Sequence, residues 1–168
     1  MKLHLIDSSE QVTAALQMAF APFPEVTVRH GDLLAVAEHC IVSPANSYGY
    51  MDGGFDRVLL DFFGASIQFR VQDVISSRPE GLLPVGASVL VRTGHSRVPF
   101  LIVAPTMTLP EHVEPSNAHR AMRAVLRIGR ELAGSIFCPG LCTGVGAVSP
   151  RDAADAMARA YAESLQVA

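Results

Sequence analysis

The chain has very little lysine, and this shortage argues against one class of function. Lys2 is the only lysine among 168 residues, against twelve arginines, and the formal net charge is −3. Broad electrostatic binding of nucleic acid or of an anionic membrane needs a basic surface. We therefore expect no extended nucleic-acid surface and no membrane contact. Taken alone, this composition also argues against an anionic ligand.

Cysteines and long apolar runs are scarce as well. Three cysteines make an odd, sparse set, unlike a disulfide framework, and indicate a reducing, cytoplasmic location. The longest apolar run, 99–107, is shorter than the ~18–20 residues of a membrane-spanning helix. The first seven residues lack the apolar segment of a signal peptide. The histidines and cysteines show no metal-ligand spacing, so we predict no metal site and no cofactor.

In other respects the composition is that of a globular protein. Hydrophobic residues make up 49% of the chain and charged residues 17%, a composition that argues against a disordered chain. A chain of this length suffices for one hydrophobic core. We therefore predict a single domain over residues 1–168.

Short apolar strands alternate with amphipathic helices along the chain. Strands are predicted at 2–6, 26–30, 40–42, 87–91, 100–103 and 135–138. Helices are predicted over 12–20, 55–62, 67–75 and 118–132, with a last one that begins at Pro150. This alternation predicts an α/β fold, a three-layer α/β/α sandwich. Because no helix separates the fourth and fifth strands, we expect the central sheet to be mixed.

Local signals mark three helix ends. Ser8 followed by Gln11 is a capping-box pattern for the first helix. Gly64 stands where the second helix should end. Ser149 and Pro150 supply a serine cap and a first-turn proline for the last helix.

Ligands in such sheets bind beyond the carboxyl ends of the strands, so the segments that follow strands carry the functional signal. Three of them stand out: 31–33, 43–56 and 139–146. The last two are rich in glycine and lead into helices, where backbone N–H groups can face an anion. Together they can hold a diphosphate in a nest of amides, without lysine. Neither matches a P-loop or a dinucleotide-binding glycine motif.

These three segments resemble those of the macrodomain, the ADP-ribose-binding module. Gly-Asp-Leu at 31–33 is similar to the family's Gly-Asp-Ile/Val element. Residues 43–56 are similar to its Asn-Ala-Ala-Asn, a glycine run and an aspartate, and 142–145 to its Ser-Thr-Gly-hydrophobic loop. The resemblance extends over about 28–161 and implies a macrodomain-like sandwich with a mixed central sheet.

The resemblance implies a set of ligand contacts. Asp32 would accept a hydrogen bond from the adenine amine, with the Leu33 amide assisting, unless Asp32 only caps a helix. Asn46 would bind the distal ribose, tie down its own loop, or do both. Phe55 would contact the ligand or only begin the core face of its helix. The diphosphate would lie between two loops: Gly53, Gly54 and Phe55 on one side, and Thr143, Gly144, Val145 and Gly146 on the other.

The resemblance also implies catalysis, because Asp56 stands where hydrolytic family members carry an acid near the distal ribose. Cleavage at the anomeric carbon builds positive charge on the sugar, which a carboxylate can stabilise while it orients or deprotonates a water. Asn46 would position the ribose. The structural alternative is that Asp56 is only an acid in the first turn of a helix, where it interacts favourably with the helix dipole.

We therefore predict an ADP-ribosyl hydrolase or an O-acetyl-ADP-ribose deacetylase that releases ADP-ribose from a modified protein or nucleic acid. The first alternative is a non-catalytic ADP-ribose-binding module. The second is a structural protein that uses this fold as a scaffold without binding ADP-ribose.

The chain departs from the family pattern at several positions. Ser43 replaces the first asparagine of Asn-Ala-Ala-Asn. Asp52 stands within what is a glycine run in the family and is an alternative catalytic acid. The usual aromatic residue after Val145 is missing, so Tyr48 and Tyr50 are the candidates to stack on the ligand.

Two further features are interpreted mainly as structural. Cys40 and Cys138 lie in apolar strands and are predicted to be packing thiols, whereas Cys142 lies in a ligand loop and is a candidate exposed, oxidisable thiol. The arginines between 120 and 130 are interpreted as a solvated helix face.

Overall fold

The computed structural model describes residues 1–166, and these contain one six-stranded sheet and six helices. The strands are β1 (Lys2–Asp7), β2 (Thr27–His30), β3 (Cys40–Ser43), β4 (Val89–Arg92), β5 (Phe100–Val103) and β6 (Ser135–Cys138). The helices are α1 (Glu10–Ala19), α2 (Leu33–Val36), α3 (Gly54–Phe63), α4 (Ser66–Ser76), α5 (Pro115–Glu131) and α6 (Pro150–Gln166). The predicted strands and helices are confirmed within a few residues, and only the short α2 was missed.

The sheet has the strand order β2-β1-β6-β3-β5-β4. All neighbouring strands are parallel except β4, which runs antiparallel to β5, so the expected mixed sheet is confirmed. Because the other five strands run in the same direction, their carboxyl ends meet at one edge of the sheet. Ligands of α/β proteins bind at this edge.

Apolar side chains cover both faces of the sheet. In β3, Cys40 and Val42 point to the face on which α1, α5 and α6 pack, whereas Ile41 points to the face of α3 and α4. All three side chains are fully buried, and burial of one large aliphatic side chain such as Ile41 stabilises the fold by roughly 1.5–3 kcal/mol. Helices on both faces confirm the predicted three-layer α/β/α sandwich.

The ends of two helices follow the sequence signals. The backbone N–H of Asp152 donates to the Ser149 Oγ at 3.1 Å, so Ser149 caps α6, and Gly64 is the C-cap of α3. No helix within residues 1–166 has both the length and the apolar character that a membrane crossing requires.

The capping box predicted at Ser8 is wrong. The N-cap of α1 is Ser9, whose Oγ accepts the Val12 N–H at 3.3 Å. The reason lies at the end of β1, which continues to Asp7. The Asp7 carboxylate accepts the Ser9 N–H at 2.9 Å and so fixes the turn one residue later than the sequence pattern indicated.

This difference can be tested with two neighbouring serines. Ser9→Ala removes a helix cap and should lower the free energy of unfolding by about 1 kcal/mol. Ser8→Ala removes an exposed hydroxyl with no capping role and should leave stability nearly unchanged. Urea denaturation of both variants measures the difference, and an equal loss in the two would contradict the assignment.

Candidate functional site

A cleft of about 600 Å³ lies at the carboxyl edge of the sheet. Its volume is within the range of roughly 300–1,000 Å³ that is usual for small-molecule sites. One wall comes from the segment that follows β3 and from α3, the opposite wall from the loop that follows β6, and the loop after β5 also contributes. No lysine or arginine lines the cleft among the described residues, so a bound anion would contact backbone amides.

Three helices begin at this cleft. Ser9 at the start of α1, Gly54 at the start of α3 and Pro150 at the start of α6 are all lining residues. Each helix N-terminus carries roughly half a positive charge from the aligned peptide dipoles. The backbone of the cleft therefore presents partial positive charge, although the chain as a whole is acidic.

The two glycine-rich loops predicted to hold a diphosphate face each other. The backbone of Gly54 is left-handed, with φ +57°, and a Cβ atom added there would lie 3.6 Å from Val145 Cγ2. Gly53 is the N-cap of α3 and makes no side-chain capping bond, so no side-chain cap covers the start of that helix. The structure thus brings Gly53, Gly54 and Phe55 opposite Thr143, Gly144, Val145 and Gly146, all of which line the cleft.

The loop after β6 is fixed by its contact with the end of β1. The Asp7 Oδ2 accepts the Gly140 N–H at 2.9 Å, and the Thr143 hydroxyl donates to the Gly140 carbonyl at 3.2 Å. Position 140 requires glycine, since a Cβ atom on residue 140 would lie only 2.5 Å from Val12 Cγ1. This close contact orders the turn after β6 against α1.

Asp56 lies at the bottom of the cleft and is 5% exposed. The Ser43 hydroxyl, itself buried, donates to Asp56 Oδ1 at 2.6 Å. Burial raises the pKa of the Asp56 carboxyl to about 7, and the hydrogen bond from Ser43 acts in the opposite direction. Near neutral pH the Asp56 carboxyl therefore exists in both its protonated and its ionised form.

The side chain of Asn46 organises its own loop. Its Oδ1 accepts the N–H groups of Tyr48 and Tyr50 at 3.1 and 3.3 Å, and its Nδ2 donates to the Tyr50 carbonyl at 2.8 Å. Asn46 also lines the cleft. An amide nitrogen carries two N–H groups, so one donor of Asn46 remains for a ligand.

Four other side chains of the segment 43–56 differ in position. Asp52 and Tyr50 are exposed and line the cleft, so both can reach a ligand from its mouth. Tyr48 is 36% exposed but is not a lining residue, and of the two predicted stacking candidates only Tyr50 faces the cleft. Phe55 both lines the cleft and packs against the core beneath α3, so its two sequence interpretations are compatible.

The structure does not bring Asp32 and Leu33 into the cleft. The Asp32 carboxylate caps α2 and accepts the Leu34 N–H at 2.9 Å, which is the helix-cap alternative for this residue. Leu33 is buried in the core on the α3 and α4 side. Both residues follow β2, the edge strand beside β1, so they lie one strand beyond the lining residues at the end of β1.

Sequence reasoning missed the end of the cleft formed by α1. Ser8, Ser9 and Gln11 line it together with Asp7. The signal was present, since these residues directly follow a predicted strand, but the pattern was interpreted only as a capping box. Thr106 and other residues of the long segment after β5 were missed because no motif marks them.

The interpretation of Cys142 as an exposed thiol is wrong. Its side chain is 4% exposed, and burial raises the pKa of the thiol to about 12, so it stays protonated and unreactive. Cys40 and Cys138 are buried free thiols, as predicted. Within residues 1–166, no three His, Cys, Asp or Glu side chains form a group suited to a metal ion.

Comparison with known proteins identifies related chains. The sequence model of the Macro domain matches residues 42–157. An uncharacterized protein of Aquifex aeolicus is 34% identical over 137 residues, which cover 79% of this chain and 78% of that protein.

Solved structures with the same fold include two bacterial macrodomains. The macrodomain of Mycobacterium tuberculosis DarG has a TM-score of 0.68 at 20% identity, covering 79% of this chain and 87% of that one. The Oceanobacillus iheyensis macrodomain with ADP has a TM-score of 0.69 at 20% identity, covering 82% and 75%. A mutant of the latter, solved with ADPR, has a TM-score of 0.67 at 19% identity, covering 79% and 74%. At this level of identity the likeness establishes the fold.

The raised pKa of Asp56 predicts a specific dependence of stability on pH. Between about pH 4 and pH 7 the folded protein retains a proton that the unfolded chain has lost. Relative to Asp56→Asn, the free energy of unfolding of the wild type should therefore fall as pH rises through this window, with the slope that loss of one proton per molecule gives, and level off above it.

Urea denaturation at a series of pH values tests this expectation. Ser43→Ala is a useful second variant, because loss of its hydrogen bond should move the upper end of the window to higher pH. Parallel stability curves for wild type and Asp56→Asn would contradict the raised pKa.

Proposed function

The chain belongs to the Macro domain family, and from this premise we propose that its cleft binds ADP-ribose. The observation that carries the proposal is the pair of glycine-rich loops that face each other across a cleft of about 600 Å³. The three helix N-termini that border the cleft suit a small diphosphate. The Oceanobacillus iheyensis macrodomain solved with ADP and with ADPR has the same fold.

In this proposal the diphosphate lies between the two loops. The amides at Gly53, Gly54 and Phe55 contact it from the α3 side, where the helix dipole favours negative charge. The amides from Thr143 to Gly146 contact it from the opposite side.

The ribose next to the reacting bond lies toward Asn46 and Asp56. Asn46 has one N–H left for a ribose hydroxyl after it has bonded Tyr50. The exposed ring of Tyr50 borders the same end of the cleft. The adenine then lies toward the end of β1, which Asp7, Ser8 and Ser9 border, whereas Asp32 stands one strand away, outside the cleft.

We propose further that the protein hydrolyses the bond between ADP-ribose and a modified protein or nucleic acid, or an acetyl ester. A pKa of about 7 lets Asp56 accept a proton from a water molecule at neutral pH. For an ester-linked acceptor the water oxygen attacks the anomeric carbon, its proton passes to Asp56, and the acceptor leaves as a carboxylate. Ser43 holds the Asp56 carboxyl in a single orientation, and Asn46 positions the ribose.

One observation favours the alternative, a binding module without turnover. The Asn46 side chain already makes three hydrogen bonds within its own loop, so most of its hydrogen-bonding groups stabilise the loop. Such a module would bind ADP-ribose equally well and release nothing.

The binding proposal is tested with two matched glycine variants. Gly54→Ala adds a Cβ between the two loops and should weaken ADP-ribose binding by about tenfold or more. Gly64→Ala also places alanine at a positive φ of +89°, but in open space at the other end of α3. Its affinity should match the wild type. Titration calorimetry measures both, and the absence of ADP-ribose binding by the wild type would refute the proposal.

The hydrolysis proposal is tested with two aspartate variants of the cleft. Release of ADP-ribose is measured from aspartate- or glutamate-linked, arginine-linked and nucleic-acid-linked substrates. Asp56→Asn should reduce the rate by about 10²–10⁴-fold and leave ADP-ribose affinity intact. Asp52→Asn should change the rate only about threefold, since its carboxylate is at the mouth of the cleft.

A third variant, Ser43→Ala, tests whether Ser43 acts on the Asp56 carboxyl or only supports the fold. Ser43→Ala should move the acidic limb of the pH–rate profile to higher pH, because the hydrogen bond from Ser43 stabilises the Asp56 carboxylate. If the wild type binds ADP-ribose but releases none from any substrate, the binding module is the correct function. If Asp52→Asn is the variant that loses turnover, Asp52 is the catalytic acid.

A further inference from the structure

A second groove, of about 670 Å³, lies beside α5. It is bounded by α5, by the end of α6 near Glu163 and by the segment 84–87. None of its lining residues lines the first cleft. Its charged lining residues are Arg120, Arg123, Arg127, Arg130 and Glu163.

The four arginines form one row along α5. Successive members are three, four and three residues apart, so all four project from the same face of the helix. From Arg120 to Arg130 the row extends about 15 Å, at 1.5 Å per residue. Like charges at these spacings repel one another, so the row disfavours the helix unless an anion neutralises it.

Two members of the row are held in place by the backbone of 84–87. The Arg120 Nη2 donates to the Val85 carbonyl at 2.7 Å, and the Arg127 Nη2 donates to the Gly86 carbonyl at 3.5 Å. A guanidinium carries five N–H donors, so each of the two retains donors for a ligand. The groove is therefore a partly ordered array of guanidinium groups.

Carboxylates compensate this row poorly. Glu163 is the one acidic side chain that lines the groove among the described residues. Its carboxylate lies 3.0 Å from His119 Nε2 but farther from Arg123 Nε, at 3.9 Å. Elsewhere Arg57 Nε lies 3.2 Å from Asp61 Oδ1, which is a closer pair than Arg123 and Glu163. The groove keeps a local excess of positive charge on a chain with net charge −3.

We propose that the α5 groove binds a row of phosphate groups. A guanidinium matches phosphate with two parallel hydrogen bonds, and an array of four suits several phosphates in a line better than a single one. No aromatic side chain lines the groove within the described residues, so bases have nothing to stack on. Recognition is of phosphate and is independent of base sequence. Nucleic acid and inorganic polyphosphate both present this chemistry.

The groove is more basic than the net charge of the chain indicates. Net charge averages over the whole surface, whereas four of the twelve arginines are gathered on one helix face. The groove is short, so it accommodates a few phosphates and not an extended polyanion.

The test uses the whole chain and fluorescence anisotropy with a labelled oligothymidylate, a labelled duplex and unlabelled inorganic polyphosphate as competitor. Between about 50 and 200 mM salt the affinity should fall with a slope that corresponds to about three phosphate contacts. Arg123→Gln/Arg130→Gln should weaken binding by about tenfold or more and reduce this slope by about two. These two arginines make no bond to the 84–87 backbone, so the double variant should fold normally.

Arg57→Gln/Arg151→Gln is the matched control, because it removes the same charge outside the groove and should change affinity less than about twofold. Oligonucleotide binding would identify nucleic acid as the source of the phosphates, and binding of polyphosphate alone would identify free polyphosphate. Saturating ADP-ribose should displace neither probe. Displacement by ADP-ribose, an equal loss in the two double variants, or no binding of any probe at about 50 mM salt would overturn the proposal.

Discussion

Burial of the sheet on both faces is the constraint on which the rest of this structure depends. Cys40, Ile41 and Val42 fill the cores above and below β3, which leaves that strand no solvent-exposed face. Parallel strands of this kind need helices as crossovers, and those helices cover both faces. Every loop that leaves the carboxyl edge must then begin a helix or lead to one. The cleft with three helix N-termini follows from this connectivity.

In the cleft, the formal charge of the side chains and the partial charge of the backbone have opposite signs. Asp7, Asp52 and Asp56 line it without a compensating basic side chain among the described residues, yet its backbone presents amides and helix dipoles. Asp7 is committed to the N–H groups of Ser9 and Gly140, so its negative charge orders the loops. Asp56 is buried, and burial favours its neutral form. A site of this composition can accept a small diphosphate while the chain remains acidic overall.

Ser43 and Asp56 illustrate how one departure from the family pattern supports another feature. Serine at the first asparagine position supplies a short hydroxyl that reaches Asp56 Oδ1 at 2.6 Å across the bottom of the cleft. A buried carboxyl without such a partner would be costly to ionise. The hydrogen bond makes ionisation near neutral pH feasible, which general-base chemistry requires. It also ties the start of α3 to the end of β3, so structure and proposed catalysis share one contact.

The sequence by itself determined the layers, the mixed sheet and the two facing glycine loops, because periodicity and turn residues act over a few positions along the chain. Ser149 and Gly64 were identified as helix ends for the same reason. Only the tertiary structure decided that Ser9 caps α1, that Cys142 is buried and that Ser43 bonds Asp56. It also decided that the arginines of α5 border a groove with the segment 84–87. The choice of Ser9 over Ser8 depends on where β1 ends, and the contacts of Ser43 and of the α5 arginines join residues far apart in sequence. Burial, which raises the pKa of Asp56, exists only once the layers have packed.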